Sequence, residues 1–231
     1  MATTTLTTQR SSARSTIGLK IMMAVSGLYF VLFVLMHMYG NLKILAGHEA
    51  FDTYAHHLRE FGAPMLPYTG FLWVFRVTLL IALAAHVYSA MKLWARAGRA
   101  RKSRYLVKNS MGTPFSSRTM RWGGITLLLF ILFHLAQFTL RWFTVGPAVE
   151  SPAAMVVNAF QVPWLTLIYV LAMIALGLHI HHGVWSASET LGWTNTAKSR
   201  NLAKMAGLFL SGFIVIGFLI PPLAIMFGLI K

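Results

Sequence analysis

The sequence predicts an all-α protein, a polytopic membrane bundle of five transmembrane helices, and three observations carry that expectation. Hydrophobic residues make up 57% of the 231-residue chain and charged residues only 11%, more apolar surface than a soluble domain of this size can withdraw from water. The apolar residues gather into five runs of roughly 20 residues or more, the length a bilayer core requires of a helix. The basic residues lie between the runs and alternate between crowded and sparse segments, the pattern of membrane topology.

Residues 1–16 are rich in Thr and Ser, with Arg10 and Arg14, and read as a disordered cytoplasmic tail. The apolar run after them is too long for the core of a signal peptide and has no clear small-residue cleavage site. That first run extends from about Ile17 to Met38, and positions 17–231 form one membrane domain. The second, from about Phe71 to Trp94, is entered through Pro64 and Pro67, and the third spans Trp122 to Phe143. The fourth starts at Pro163, a residue suited to a first helical turn, and ends near Ser186. The fifth covers Ala203 to Gly228, with Pro221 and Pro222 expected to kink or loosen its last turns. Between the first two runs, Phe51, Tyr54, Ala55, Leu58 and Phe61 recur at helical spacing in 47–62, which predicts a short interfacial helix.

Five spans put the termini on opposite sides, and charge assigns the sides. With the N-terminus inside, the inner segments hold fifteen of the twenty basic residues, and the outer segments hold Lys43, Arg59, Arg76, Arg141 and Lys231. The positive-inside rule then places the N-terminus on the cytoplasmic side and the C-terminus outside, and the expected location is a bacterial cytoplasmic membrane. A net charge of +15 would suggest nucleic acid in a soluble protein. Here the charges flank membrane spans, so anionic lipid and protein partners account for them and no nucleic acid is expected.

Cysteine is absent, which excludes disulfides, thiolate zinc sites and an iron–sulfur cluster held by this chain's own thiolates. Histidine is the abundant metal ligand that remains. Four of the apolar runs each carry one at depth: His37, His86, His134 and His179. A single histidine on an apolar helix is ordinarily a satisfied core or lipid-facing residue, but an intramembrane imidazole points to function. His37 lies six residues before Lys43 and His134 seven before Arg141, about 9 and 10 Å from the outer edge at 1.5 Å per residue. His86 lies six residues before Lys92 and His179 ten before Glu189, about 9 and 15 Å from the inner edge.

Depth therefore sorts the four into an outer pair, His37 with His134, and an inner pair, His86 with His179. Each pair joins two helices of the same direction, the arrangement two haems b need for axial ligation from both sides, and a haem so filled carries electrons and does not bind oxygen. The competing reading is a haem-free proton-coupled transporter with a histidine relay. Against it, Arg76 is the one charged residue within the spans that could complete such a relay. Gly27, Gly40, Gly123, Gly124 and Gly177 permit close helix approach or room for a macrocycle. His179 has His181 and His182 as neighbours. His182 falls one turn along on nearly the same face, where it could bond a propionate or a quinone or face the interface, while His181 points elsewhere.

Ser26-Gly27-Leu28-Tyr29-Phe30 followed by His37-Met38-Tyr39-Gly40-Asn41 resembles the first helix of the cytochrome b subunit of succinate dehydrogenases and fumarate reductases, in its single-polypeptide, five-helix, two-haem form. His179-Ile180-His181-His182-Gly183-Val184-Trp185-Ser186 resembles the fourth-helix motif of that family, a ligand histidine followed four residues on by Gly and then an aromatic. The resemblance extends over nearly the whole chain after the tail in span number, length and ligand order. It implies a membrane anchor for a flavoprotein subunit that oxidises succinate and an iron–sulfur subunit that passes electrons on. It also implies a proximal haem at the inner pair, a distal haem at the outer pair, and menaquinone as the quinone. Succinate chemistry would reside in the partner subunits.

On the same resemblance, Arg99, Arg101, Lys102, Arg104 and Lys108 would face the soluble subunits and anionic lipid. Arg76 and Arg141 could pair with outer-haem propionates, since the guanidinium fork suits carboxylates, or could anchor the interface. Quinone reduction takes up protons, so a titratable group beside the membrane surface is useful. His56, His57 and Glu60 offer one outside, with Glu60 matching by position a glutamate that serves related fumarate reductases. Ser26, Trp122 and Trp185 are candidate walls of an inner pocket. A di-haem anchor for a hydrogenase or formate dehydrogenase remains an alternative to the succinate enzyme.

Overall fold

The computed structural model describes residues 15–100, 115–147 and 149–231. Most of the expected N-terminal tail lies outside them, as do Arg101, Lys102, Arg104 and Lys108. Among the described residues the protein is all-α, and five of its helices are long and apolar enough to cross a membrane.

The first spanning helix, α1 (Thr16–Leu42), begins where the Ser15 hydroxyl accepts from the Gly18 amide at 2.9 Å, an N-cap that supplies one unpaired first-turn donor with an acceptor. It continues as a 3-10 turn (Lys43–Ala46) to Gly47, whose φ of +103° turns the chain into the short helix α2 (His48–Glu60). The helical spacing read in 47–62 therefore corresponds to a real helix. It seats on α1 where Gly40 faces the Tyr54 ring, with no room for a side chain. The second span is α3 (Gly70–Ala100) and the third α4 (Phe115–His134), which runs on as a π-helical turn (Leu135–Thr139). Then come α5 (Pro152–Phe160), the fourth span α6 (Pro163–Thr190) and the fifth, α7 (Ala197–Met226). A reciprocal Thr196–Ser199 capping box starts α7, and the helix continues through the buried Pro221 and Pro222 for another turn.

The helices α1 and α6 meet at the centre, α3 flanks α1, α4 flanks α6, and α7 packs on both central helices. The α6–α7 approach is set by Gly207, where an added Cβ would lie 2.8 Å from the backbone oxygen of His181. Both faces of the bundle are rimmed by cations over aromatic rings. Arg121 lies 5.1 Å from the Trp94 ring, Lys204 5.6 Å from Trp185 and Lys92 5.5 Å from Tyr88 at the N-terminal face, with Lys43 4.7 Å from Tyr39 at the other. Such contacts keep the charge toward water while the stem covers apolar surface.

A cluster of buried apolar residues lies at the face opposite the N-terminus, beneath α5. There Ile44, Ala153, Val156, Val157, Phe160, Leu165, Tyr169 and Ile225 are buried together. Sequence patterning does not single out α5, which is too short to span and too uniformly apolar to show a face. Its start is nevertheless marked by Ser151-Pro152, a capping hydroxyl and a first-turn proline. The Asp52 carboxylate of α2 fastens that start, accepting from the Ser151 hydroxyl at 2.6 Å and from the Ala153 amide at 2.9 Å. Asp52→Ala is expected to weaken this α2–α5 contact by about 2 kcal/mol, the worth of hydrogen bonds to a charged acceptor. Hydrogen exchange across α5 checks it: faster exchange there, with the spans unchanged, is the expected result.

Candidate functional site

The two depth-matched histidine pairs are each in ring contact across two helices. His37 on α1 lies 5.8 Å from His134 on α4, centroid to centroid, and His86 on α3 lies 6.2 Å from His179 on α6. The first pair sits in the half of the bundle opposite the N-terminus, the second in the N-terminal half. All four imidazoles are half-buried on membrane-length apolar helices, where loss of water must be offset by hydrogen bonds or by ligation.

At the first pair, His37 stacks on Phe33 at 5.3 Å and is flanked by Phe218 of α7 at 5.8 Å. Asn41 donates to the His37 backbone carbonyl at 2.8 Å. His134 ends α4 at the point where the helix widens into its π turn, a distortion found frequently at functional positions. Its Nδ1 lies 3.2 Å from the Tyr169 hydroxyl of α6, which donates to Gln137 Oε1 at 2.8 Å. Tyr169 and Gln137 are buried, and the sequence reading did not single them out. The signal was present, since a buried amide and phenol inside apolar spans are costly unless partnered.

At the second pair, the Ser26 hydroxyl lies 3.1 Å from His86 Nδ1 and donates to the Met22 carbonyl at 2.7 Å. A serine hydroxyl that donates to the main chain has its oxygen free to accept from an imidazole N–H, the arrangement in which Nε2 of His86 carries the lone pair. Ser26 is thereby joined to the histidine site. His179 Nδ1 is buried with no hydrogen-bond partner among the described residues. Both rings border small residues: a Cβ at Gly27 would meet His86 Cε1 at 3.2 Å, and one at Gly124 would meet His179 Cε1 at 3.6 Å. Beside His179, α4 and α6 border a partly open pocket of about 160 Å³ lined by Thr119, Met120, Gly123 and Leu178 among others.

The ring separations match those of one metal ion held between two imidazoles. With imidazole nitrogens about 2 Å from a metal on either side, ring centres stand on the order of 6 Å apart, close to the 5.8 and 6.2 Å found. No group of three or more His, Asp or Glu side chains that could hold a bare metal ion occurs among the described residues. An iron in a macrocycle takes only two ligands from the protein, so the pair is the relevant unit. The hydroxyl partners of the His86 and His134 Nδ1 atoms suit that use.

The other sequence-predicted residues are placed less centrally. His182 lies 5.7 Å from Trp185, and His182 Nδ1 and Trp185 Nε1 are both buried without partners. His181 backs onto Gly207 of α7. Arg76 is exposed on α3, its guanidinium 5.2 Å from the Trp73 ring. Arg141 is exposed with φ +53°, just beyond the π turn. The described contacts join neither arginine to the His37–His134 pair. Glu60 pairs with His56 at 3.3 Å on the exposed surface of α2, His57 follows on the same helix, and Trp122 is 71% exposed on α4.

No protein-family model, curated protein or solved structure matches this chain.

Proposed function

We propose that the chain is the cytochrome b membrane anchor of a succinate:menaquinone oxidoreductase, carrying electrons between an iron–sulfur subunit and the quinone through two haems b. The observation that supports this reading best is the pair of cross-helix imidazole contacts, one in each half of the bundle, at the separation axial ligation requires. His86 and His179 would hold the haem near the N-terminal face, and His37 and His134 the haem near the opposite face. When bound, such haems supply one-electron transfer with both axial positions filled.

The chain's own residues have separable tasks in this reading. Ser26 and Tyr169 orient their imidazoles, and Phe30, Phe33, Phe130 and Phe138 line the histidines with apolar rings, which exclude water. The basic N-terminal face, taken as cytoplasmic, suits docking of the soluble flavoprotein and iron–sulfur subunits and contact with anionic lipid. His56 Nδ1 and Glu60 Oε2, 3.3 Å apart on the opposite face, can exchange a proton with water during quinone turnover. Arg76, Arg141 and His182 stand as candidate propionate or quinone contacts.

The test is a dithionite-reduced minus oxidised spectrum of the purified complex, with haem quantified per chain and the co-purifying subunits identified. Two low-spin b-type haems per chain, with a flavoprotein and an iron–sulfur subunit, are the expected result. Two haems with a hydrogenase or formate dehydrogenase would reassign the partner, and a chain without haem would turn the reading toward a histidine-relay transporter.

A further inference from the structure

We propose that Tyr169 is the positioning residue for His134, holding the imidazole proton on Nδ1 so that Nε2 is left as the lone-pair nitrogen for iron; the inference rests on the haem reading above. A tyrosine hydroxyl has one proton to give. It goes to Gln137 Oε1, at 2.8 Å the nearer of its two partners, and the 3.2 Å contact to His134 Nδ1 then requires that the imidazole donate and the phenol oxygen accept. A neutral imidazole that donates through Nδ1 presents a lone pair at Nε2.

Three features make this arrangement rigid. Tyr169 and Gln137 are 7% and 3% exposed, so water does not compete for the hydroxyl. The phenol ring is held edge-on between Phe160 at 4.9 Å and Phe130 at 5.0 Å. The π turn Leu135–Thr139 carries Gln137 directly after the ligand, so α4 supplies both ends of the relay and α6 only its middle. If the Gln137 amide were reversed, its N–H would occupy the phenol oxygen. The phenol proton would then turn to His134 and drive the imidazole proton to Nε2. The two amide orientations therefore differ in whether His134 can ligate through Nε2 at all.

The experiment is a potentiometric titration of both haems in the intact complex, for the wild type, Tyr169→Phe and the double variant Tyr169→Phe/Gln137→Leu. An imidazole that loses the acceptor for its Nδ1 proton becomes a less basic ligand, which favours reduced iron. The midpoint of the outer haem is therefore expected to rise in both variants while the inner haem stays at its wild-type value. The double variant removes the buried amide that the single one strands, so a rise common to both comes from the lost imidazole bond. An unchanged outer midpoint in Tyr169→Phe, or a return to the wild-type value in the double variant, would overturn the assignment. Should the wild-type complex contain no haem, the haem reading fails on its own, and ¹⁵N spectra of His134 in the haem-free chain still decide the relay. An Nδ1–H tautomer that Tyr169→Phe abolishes sustains it, and an Nε2–H tautomer in the wild type overturns it.

Discussion

On the proposed two-haem reading, substituting His37 or His134 with alanine is expected to lower the haem content from two per chain to one, sparing the haem assigned to His86 and His179. Each imidazole of the outer pair faces the other across two helices at 5.8 Å, and neither is in ring contact with His86 or His179. In that reading, removing one would leave its partner as the only protein ligand for that haem. The inner pair stays fastened independently, His86 by Ser26 at 3.1 Å. The check is the reduced-minus-oxidised spectrum and haem quantification on each variant, with His86→Ala or His179→Ala as the mirror experiment. Loss of both haems from an assembled single variant would refute the pairing.

Gly207→Leu is expected to have the largest effect on stability. A Cβ at this position would lie 2.8 Å from the His181 carbonyl oxygen, and a helix backbone cannot move aside as a flexible side chain can. Overpacking of a well-filled contact costs about 1–3 kcal/mol, and the upper end applies where the obstacle is main chain. The expected outcome is a lower thermal midpoint in detergent and loosening of α7 from α6, with the far helix α3 unaffected. By contrast, the atoms nearest a Cβ at Gly217 belong to the Met38 side chain, an unbranched thioether that adapts readily. Gly217→Ala should therefore be tolerated better than any enlargement at Gly207, and equal losses at the two sites would contradict the backbone argument.

The five spans, the short helix after the first of them and the division of histidines into two depths were all readable from local pattern. A bilayer sets a length and an apolar character for each crossing, and a residue's distance along a helix translates directly into depth. The resemblance suggested by the His37 and His179 segments likewise rests on contiguous residues, whereas the ring contacts that support the proposed function join residues far apart in the chain.

What could not be read from local pattern depends on residues far apart in the chain. Ser26 reaches His86 across 60 positions, Asp52 reaches Ser151 across 99, and Tyr169 reaches His134 across 35. The helix α5 was missed because a nine-residue apolar segment acquires its role only from the core it covers. The π turn that brings Gln137 to Tyr169 has no distinguishing composition in Leu135–Thr139. Hydropathy is a property of a segment and survives in the sequence, and so does depth. Which hydroxyl meets which imidazole, and which glycine lies against a neighbouring backbone, depends on the rotation and approach of packed helices, and those arise only when the bundle closes.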